Sequence, residues 1–343
     1  MQFQIRACYN FDLLNMMNVL TGDPFYTKYH AEAYAEFGEA LSDESRQILN
    51  KITESLGNAM ISPLINFMIS FIPDFENENL TELLLDENRI LDGIQQSDPR
   101  MLEKAKEMKP LYQALIPVIA ELENMGFREY WTSEKEPAIL EKKAQLQPYV
   151  ETYSLDKEIA SMLGAGRAPE EITLYLCTFA APHGIKVFGP RYIADVSFKN
   201  ESILLIAIHE MFHPPYNEQA VQESLDLLAS DPFIRLAFEK KDPKFGYPEM
   251  DGFLEENVVE AMSLFIAQKV GLESDPYGYL LKHDGGSHVF SVILLDYLNL
   301  YPKPLLQEFG VYFRELVDKM PVGSLVNSYR IALEKAGKEI PVS

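Results

Sequence analysis

The sequence predicts an α+β fold that is mostly helical, and two patterns carry this prediction. Apolar residues recur at three- and four-residue steps over residues 11–163, which is the period of helices packed on a core. After residue 165 come three short runs rich in β-branched and aromatic residues, and then helical periodicity to the C-terminus. Strands followed by a run of helices are the α+β arrangement. We therefore expect a helical region at 1–165 and a second region, with a small sheet, at 166–343.

The composition is that of a globular protein with an acidic surface. Of the 343 residues, 47% are hydrophobic, which is enough to build one large domain or two ordinary ones. Lys and Arg number 30 against 52 Asp and Glu, so the net charge of -22 repels polyanions, and we expect no nucleic-acid partner. The two cysteines, Cys8 and Cys177, are far apart and offer neither a disulfide framework nor a cysteine-rich metal site.

The first twenty residues, MQFQIRACYNFDLLNMMNVL, fit neither a signal peptide nor a membrane span, because Asn and Asp interrupt a short apolar run. We expect no membrane span. We expect a cytoplasmic protein, or an exported one if a signal peptide preceded this numbering.

Helices of the first region contain prolines, at positions 63, 73, 110 and 117, that we expect to end or kink them. No repeat of fixed period and no catalytic motif occurs in this region. The expected strands are EITLYLCTFAA, GIKVFG and RYIADVSF, at 171–181, 184–189 and 191–198. The next segment, ESILLIAIHEMFH, reads as a helix that Asn200 caps and that Pro214 and Pro215 stop.

The segment HEMFH, residues 209–213, is a candidate metal motif. On a helix His209 and His213 lie one turn apart, so both imidazoles leave the same face and can bind one ion. Zinc takes neutral imidazole nitrogens, and a catalytic zinc site typically has three protein ligands and one open position. Glu210 is then placed to take a proton from water as a general base. The alternative is a buried apolar helix whose histidines form hydrogen bonds in the core.

A third ligand is available in the predicted helix at 251–269, where Glu256 and Glu260 are four residues apart on a largely apolar segment. Burying carboxylates costs several kcal/mol unless a cation compensates. One glutamate can therefore bind zinc while the other accepts a histidine N–H and orients that ring. An exposed acidic stripe is the alternative interpretation.

Three segments, HEMFH, LEENVVEAMS and HDGGSHVFS, resemble the site motifs of gluzincins, the zinc metallopeptidases that include thermolysin-like enzymes. The resemblance implies a zincin-like catalytic region at 166–343 with an HExxH active-site helix. It implies His209 and His213 as zinc ligands and Glu210 as the base. It implies Glu256 as the third ligand with Glu260 beside a histidine, and leaves Glu260, and after it Glu255, as alternative ligands.

The segment HDGGSHVFS is similar to the Asp-Asn-Gly-Gly-x-His-x-Asn-Ser stretch of thermolysin-like enzymes. The histidine of that stretch helps to stabilise the oxyanion, and it corresponds here to His288, with His283 as the fallback. Two departures are visible, since Asp284 is followed directly by Gly285 and Phe290 stands where Asn is expected. The alternative is a plain glycine turn before a helix.

We expect a zinc-dependent peptidase that acts on a peptide or protein substrate. Substrates of such enzymes add as a strand beside the cleft, and GPRYIADVSF, at 189–198, is the candidate strand, with an ordinary sheet strand as the alternative. A second hypothesis is a non-catalytic zinc-binding or pseudo-peptidase scaffold that acts through protein binding and has a fourth protein ligand. A third is a metal-free helical interaction protein.

Overall fold

The structure, a computed structural model, has the predicted α+β fold, with many helices and one small sheet. It describes residues 2–57, 60–164, 170–213, 218–245 and 247–340. Within those ranges, every helix is too short or too polar to span a bilayer.

The sheet has four strands in the order β1-β2-β4-β3. Their bounds are β1 Gln2–Ala7, β2 Glu171–Cys177, β3 Ile185–Val187 and β4 Arg191–Asp195. The three predicted strands are present, whereas β1 has no counterpart among the predictions. Strand β4 is parallel to β2, with Leu174 opposite Tyr192, and antiparallel to β3, with Ile185 opposite Ile193. Since β4 is paired on both sides, the expectation that a substrate adds to it is wrong.

Nineteen α-helical segments occur in the described ranges, and a run of helices follows the sheet as predicted, the last of them ending at Lys335. Their bounds are α1 Tyr9–Leu20, α2 Pro24–Thr27, α3 Ala31–Ala33, α4 Asp43–Ser55, α5 Ser62–Ile69, α6 Leu80–Leu85, α7 Glu87–Ser97, α8 Leu102–Asn124, α9 Phe127–Tyr130, α10 Glu136–Tyr153, α11 Leu155–Leu163, α12 Asn200–Glu210, α13 Glu218–Ala229, α14 Pro232–Lys240, α15 Met250–Val270, α16 Pro276–Leu280, α17 Val289–Leu300, α18 Phe309–Val317 and α19 Leu325–Lys335. Short 3₁₀ turns cover Phe75–Asn77, Pro99–Met101, Pro243–Phe245 and His283–Gly286, and π turns cover Tyr34–Gly38 and Trp131–Lys135.

The chain divides into two compact units. The sheet unit comprises 3–149 and 173–203, and the C-terminal unit comprises 1–2, 150–172 and 204–343. The predicted domain boundary, after residue 165, falls outside the described residues and stays a prediction.

Helix α1 is buried along its whole length in the sheet unit, including the polar residues that interrupt its apolar run. Asp12 accepts hydrogen bonds from Trp131 Nε1 at 2.7 Å and from the backbone N–H of Thr178 at 2.7 Å. The side chain of Asn18 donates to Ser62 Oγ at 2.8 Å. The side chains of Asp12 and Asn18 therefore bond to other segments of the unit, which offsets the cost of burying them.

Three of the four prolines that were expected to end or kink a helix do not end one. Pro110 and Pro117 lie inside α8, which continues through both. A proline within a helix loses one backbone hydrogen bond, but α8 buries a full face, including Tyr112, Leu115 and Ile119, against its unit. Burial of that face outweighs the local cost. Pro63 does not end a helix either, because it lies in the first turn of α5, whereas Pro73 lies beyond the end of that helix at Ile69.

Helix α15 is the centre of the C-terminal unit and packs against α17. The buried side chain of Asn257 joins the two helices, because its Oδ1 accepts the backbone N–H groups of Phe290 at 3.0 Å and Ser291 at 3.2 Å. Those N–H groups belong to the first turn of α17, where they have no partner within the helix. Asn257 thus fixes the start of α17 directly after His288.

Candidate metal centre

The histidine motif lies at the end of α12, and only part of it is helical. His209 and Glu210 occupy the last turn, while Phe212 N–H donates to the carbonyl of His209 at 2.9 Å in a tighter turn. His213 therefore follows the helix end, whereas a helix through the whole motif was expected. The physical reason is Pro214, because a residue before proline disfavours helical geometry. The predicted stop at Pro214 and Pro215 itself lies outside the described residues.

The start of α12 also differs from the prediction. Asn200 is the first helical residue and does not cap the helix; the carbonyl of Lys199 instead accepts the N–H of Ile203 at 3.0 Å. The predicted capping role of Asn200 is wrong.

Three ligand-type side chains converge after this turn. His209 Nε2 lies 3.0 Å from Glu256 Oε1 and 3.1 Å from His213 Nε2, and His213 Nε2 lies 3.4 Å from Glu256 Oε2. Zinc bonds of roughly 2.0 to 2.1 Å at tetrahedral angles place neighbouring ligand atoms roughly 3.3 Å apart. The spacing and the donor set, two imidazoles and a carboxylate, therefore fit a zinc ion.

A second carboxylate stands behind each imidazole. His209 Nδ1 lies 2.8 Å from Glu260 Oε2, and His213 Nδ1 lies 3.2 Å from Glu255 Oε1. A carboxylate accepts an N–H, so each Nδ1 carries a proton, and Nε2 is the ring nitrogen that can give its lone pair to an ion at the common point. The surroundings thus select the tautomer that zinc requires.

Burial and neighbouring charges have opposite effects on the pKa values of this cluster. The side chains of Glu256 and Glu260 are only 9% and 4% exposed. Burial by itself raises the pKa of Glu256, but hydrogen bonds with His209 and His213 lower that pKa overall. Burial by itself lowers the pKa of His213, yet its bonds to Glu255 and Glu256 raise that pKa to about 9. The carboxylates therefore favour positive charge at this point, and a metal ion that bound here would displace the protons of the imidazoles.

The identification of this centre rests on geometry alone. No protein-family model, no curated protein and no solved structure matches the chain.

Glu210 follows His209 in the last turn of α12 and is half-buried. It forms no hydrogen bond or ion pair with another residue in the described ranges, so nothing there engages its carboxylate. Its role as a base stays a prediction.

His288 is not part of the ligand cluster of His209, His213 and Glu256. It precedes α17 and its side chain is 0% exposed, with the rings of Tyr247 and His283 at 6.1 and 5.3 Å between centroids. Burial lowers its pKa. Its predicted oxyanion role stays a prediction.

Two neighbours of the centre were not predicted in their observed positions. Glu255 was considered only as an alternative ligand, and it contacts the outer nitrogen of His213 instead. Burial, together with the charge of the Glu256 carboxylate, raises the pKa of Tyr247. Tyr247 belongs to no motif, so the sequence contains no signal for it.

Proposed function

We propose that the protein is a zinc-dependent peptidase. The observation that supports this best is the convergence of His209, His213 and Glu256 at 3.0 to 3.4 Å, with a carboxylate behind each histidine. The choice of peptide bonds as substrate rests on the resemblance of the three motifs to gluzincins.

The proposed chemistry needs a base close to the ion. A bound zinc ion would supply a Lewis acid that polarises the substrate carbonyl and acidifies water. Glu210, adjacent to His209 and engaged by no described residue, takes the proton from the attacking water and returns it to the leaving amine. Glu260 and Glu255 hold the two imidazoles in place during this exchange.

The test combines metal counting with hydrolysis of a mixed peptide library. Glu210→Gln should retain zinc and lose activity by about 10²- to 10⁴-fold, since the general base is gone while the ligands remain. His209→Ala should lose one zinc per chain together with the activity. The matched control is Glu239→Gln, an exposed glutamate on α14, which should keep both. Full activity in Glu210→Gln, or activity that survives complete zinc removal, would show that the proposed function is wrong.

A further inference from the structure

A second cluster of potential metal ligands lies in the turn that precedes α17. Asp284 Oδ2 is 3.5 Å from His288 Nε2 and 3.8 Å from His283 Nε2. The ligand-type atoms of all three residues lie within 4.8 Å of one another. The sequence contains six histidines, and four of them belong either to this cluster or to the first one.

His288 is the observation that points to a ligand. It is completely buried, and neither ring nitrogen has a hydrogen-bond partner in the described part of the chain. A buried polar group without a partner destabilises the folded state until a ligand or a water satisfies it. The rings of Tyr247, Phe253 and His283 surround it, and its Nε2 faces the carboxylate of Asp284. An ion between Nε2 and that carboxylate would give Nε2 a partner.

The backbone of the turn holds Asp284 in place. Asp284, Gly285 and Gly286 all have positive φ angles, of 45°, 65° and 76°. A side chain on Gly286 would also come within 3.0 Å of the carbonyl oxygen of Leu281, so this position needs glycine. Three successive left-handed residues reverse the chain and bring Asp284 next to His288.

The cluster is closed on one side and open on the other. The side chains of His283 and Asp284 are 34% and 21% exposed, in contrast to the buried His288. His283 and Tyr279 stack at 5.1 Å and line a cavity of about 420 Å³ together with Lys282. An ion can therefore enter from solvent and bind to the buried nitrogen.

We propose that His283, Asp284 and His288 form a second metal site, which takes zinc or another divalent transition-metal ion. Two imidazoles and one carboxylate favour such an ion over magnesium or calcium, which prefer oxygen ligands only. In this site His288 is a metal ligand, in place of the oxyanion role that the resemblance implied. The bound ion links the turn at His283–Gly286 to the start of α17.

The test is the number of zinc ions per folded chain after incubation with zinc and removal of the excess. The parent should retain two zinc ions. The single variants His209→Ala and Asp284→Asn should each retain one zinc ion, and the variant that combines both substitutions should retain none. Asp284→Asn keeps the size of a partly exposed side chain, and His283→Ala gives a second, independent removal of a ligand. His183→Ala, in the sheet unit, is the control and should retain two. Thermal unfolding of each variant shows whether it is folded.

The two metal proposals fail in different ways. One zinc in the parent that disappears in His209→Ala and persists in both Asp284→Asn and His283→Ala would overturn the second site and leave the first. One zinc that persists in His209→Ala and disappears in Asp284→Asn would support the second site and overturn the proposed function. The visible absorption of bound Co²⁺ is the independent check. His209→Ala should show it, and the double variant His209→Ala, Asp284→Asn should not.

Discussion

The carboxylates behind the two histidines of the first centre differ in burial. Glu260, which contacts His209, is 4% exposed, whereas Glu255, which contacts His213, is 37% exposed. A buried charge interacts strongly with its partner, while solvent screens an exposed one. The two contacts should therefore contribute unequally to metal binding.

We expect Glu260→Gln to weaken zinc binding by about 10- to 100-fold, which is typical for the loss of such an orienting carboxylate. Glu255→Gln should weaken it by less. Both variants keep the length of the side chain and remove only its charge. Competition with a zinc-binding dye at neutral pH measures both affinities, and equal losses would contradict the argument from burial.

Asp12, which is buried in the sheet unit, should make the free energy of unfolding depend on pH. Burial raises its pKa to about 7, against the hydrogen bonds from Trp131, Thr178 and Phe179 that lower it. An unfolded aspartate has a pKa of about 3.9. Between these two values the folded chain binds a proton that the unfolded chain releases, so the free energy of unfolding falls as pH rises from about 4 to about 7. The loss should be about 2–4 kcal/mol over this range.

Urea unfolding at about pH 5 and about pH 8 measures this loss. Asp12→Asn is neutral at every pH, so its free energy of unfolding should decrease less than that of the parent on going to high pH. Asp92→Asn, an exposed position on α7, is the control and should keep the decrease of the parent. An unchanged decrease in Asp12→Asn would exclude Asp12 as its source.

At the scale of elements, α8 contains two exposed prolines that its packing tolerates. We expect Pro117→Ala to raise the free energy of unfolding by about 1–2 kcal/mol. A helical proline costs about 3 kcal/mol relative to alanine, and part of the gain is offset because alanine makes the unfolded chain more flexible. Chemical denaturation of parent and variant measures the difference.

Pro232 is the matched control, because it lies in the first turn of α14, where proline suits the helix. Pro232→Ala should leave the protein equally stable or slightly less stable. A loss of stability in Pro117→Ala would indicate that the ring itself makes favourable contacts.

Local sequence patterns predicted most helices and strands, but they could not predict which of these elements pack against each other. The β-branched runs predicted β2 and β4, and the apolar period predicted α15 with Glu256 and Glu260 one turn apart. The six-residue β1 has no turn signal before it and was missed. Periodicity could not show that α12 and α15 meet, because 42 residues separate His213 from Glu256. The contact of Glu255 with His213 depends on that meeting, and was missed for the same reason.

At the scale of the whole molecule, the net charge of -22 lowers the stability of the folded state. Repulsion among like charges destabilises a compact chain, and salt screens this repulsion. Several ion pairs, such as Lys106 with Glu103 and Lys269 with Glu158, are exposed and contribute little that salt could weaken. Repulsion should therefore dominate the response to salt.

We expect the free energy of unfolding at neutral pH to rise by about 1 kcal/mol when sodium chloride is raised from about 0.02 M to about 0.2 M, since the screening length falls from about 20 Å to about 7 Å. Urea unfolding with a chelator present, so that metal binding does not contribute, measures this change. Near the isoelectric point of about 4.7 the net charge is close to zero, and the same change in salt should have little effect. A fall in stability with salt at neutral pH would mean that attraction within local ion pairs outweighs the repulsion of the excess acidic residues.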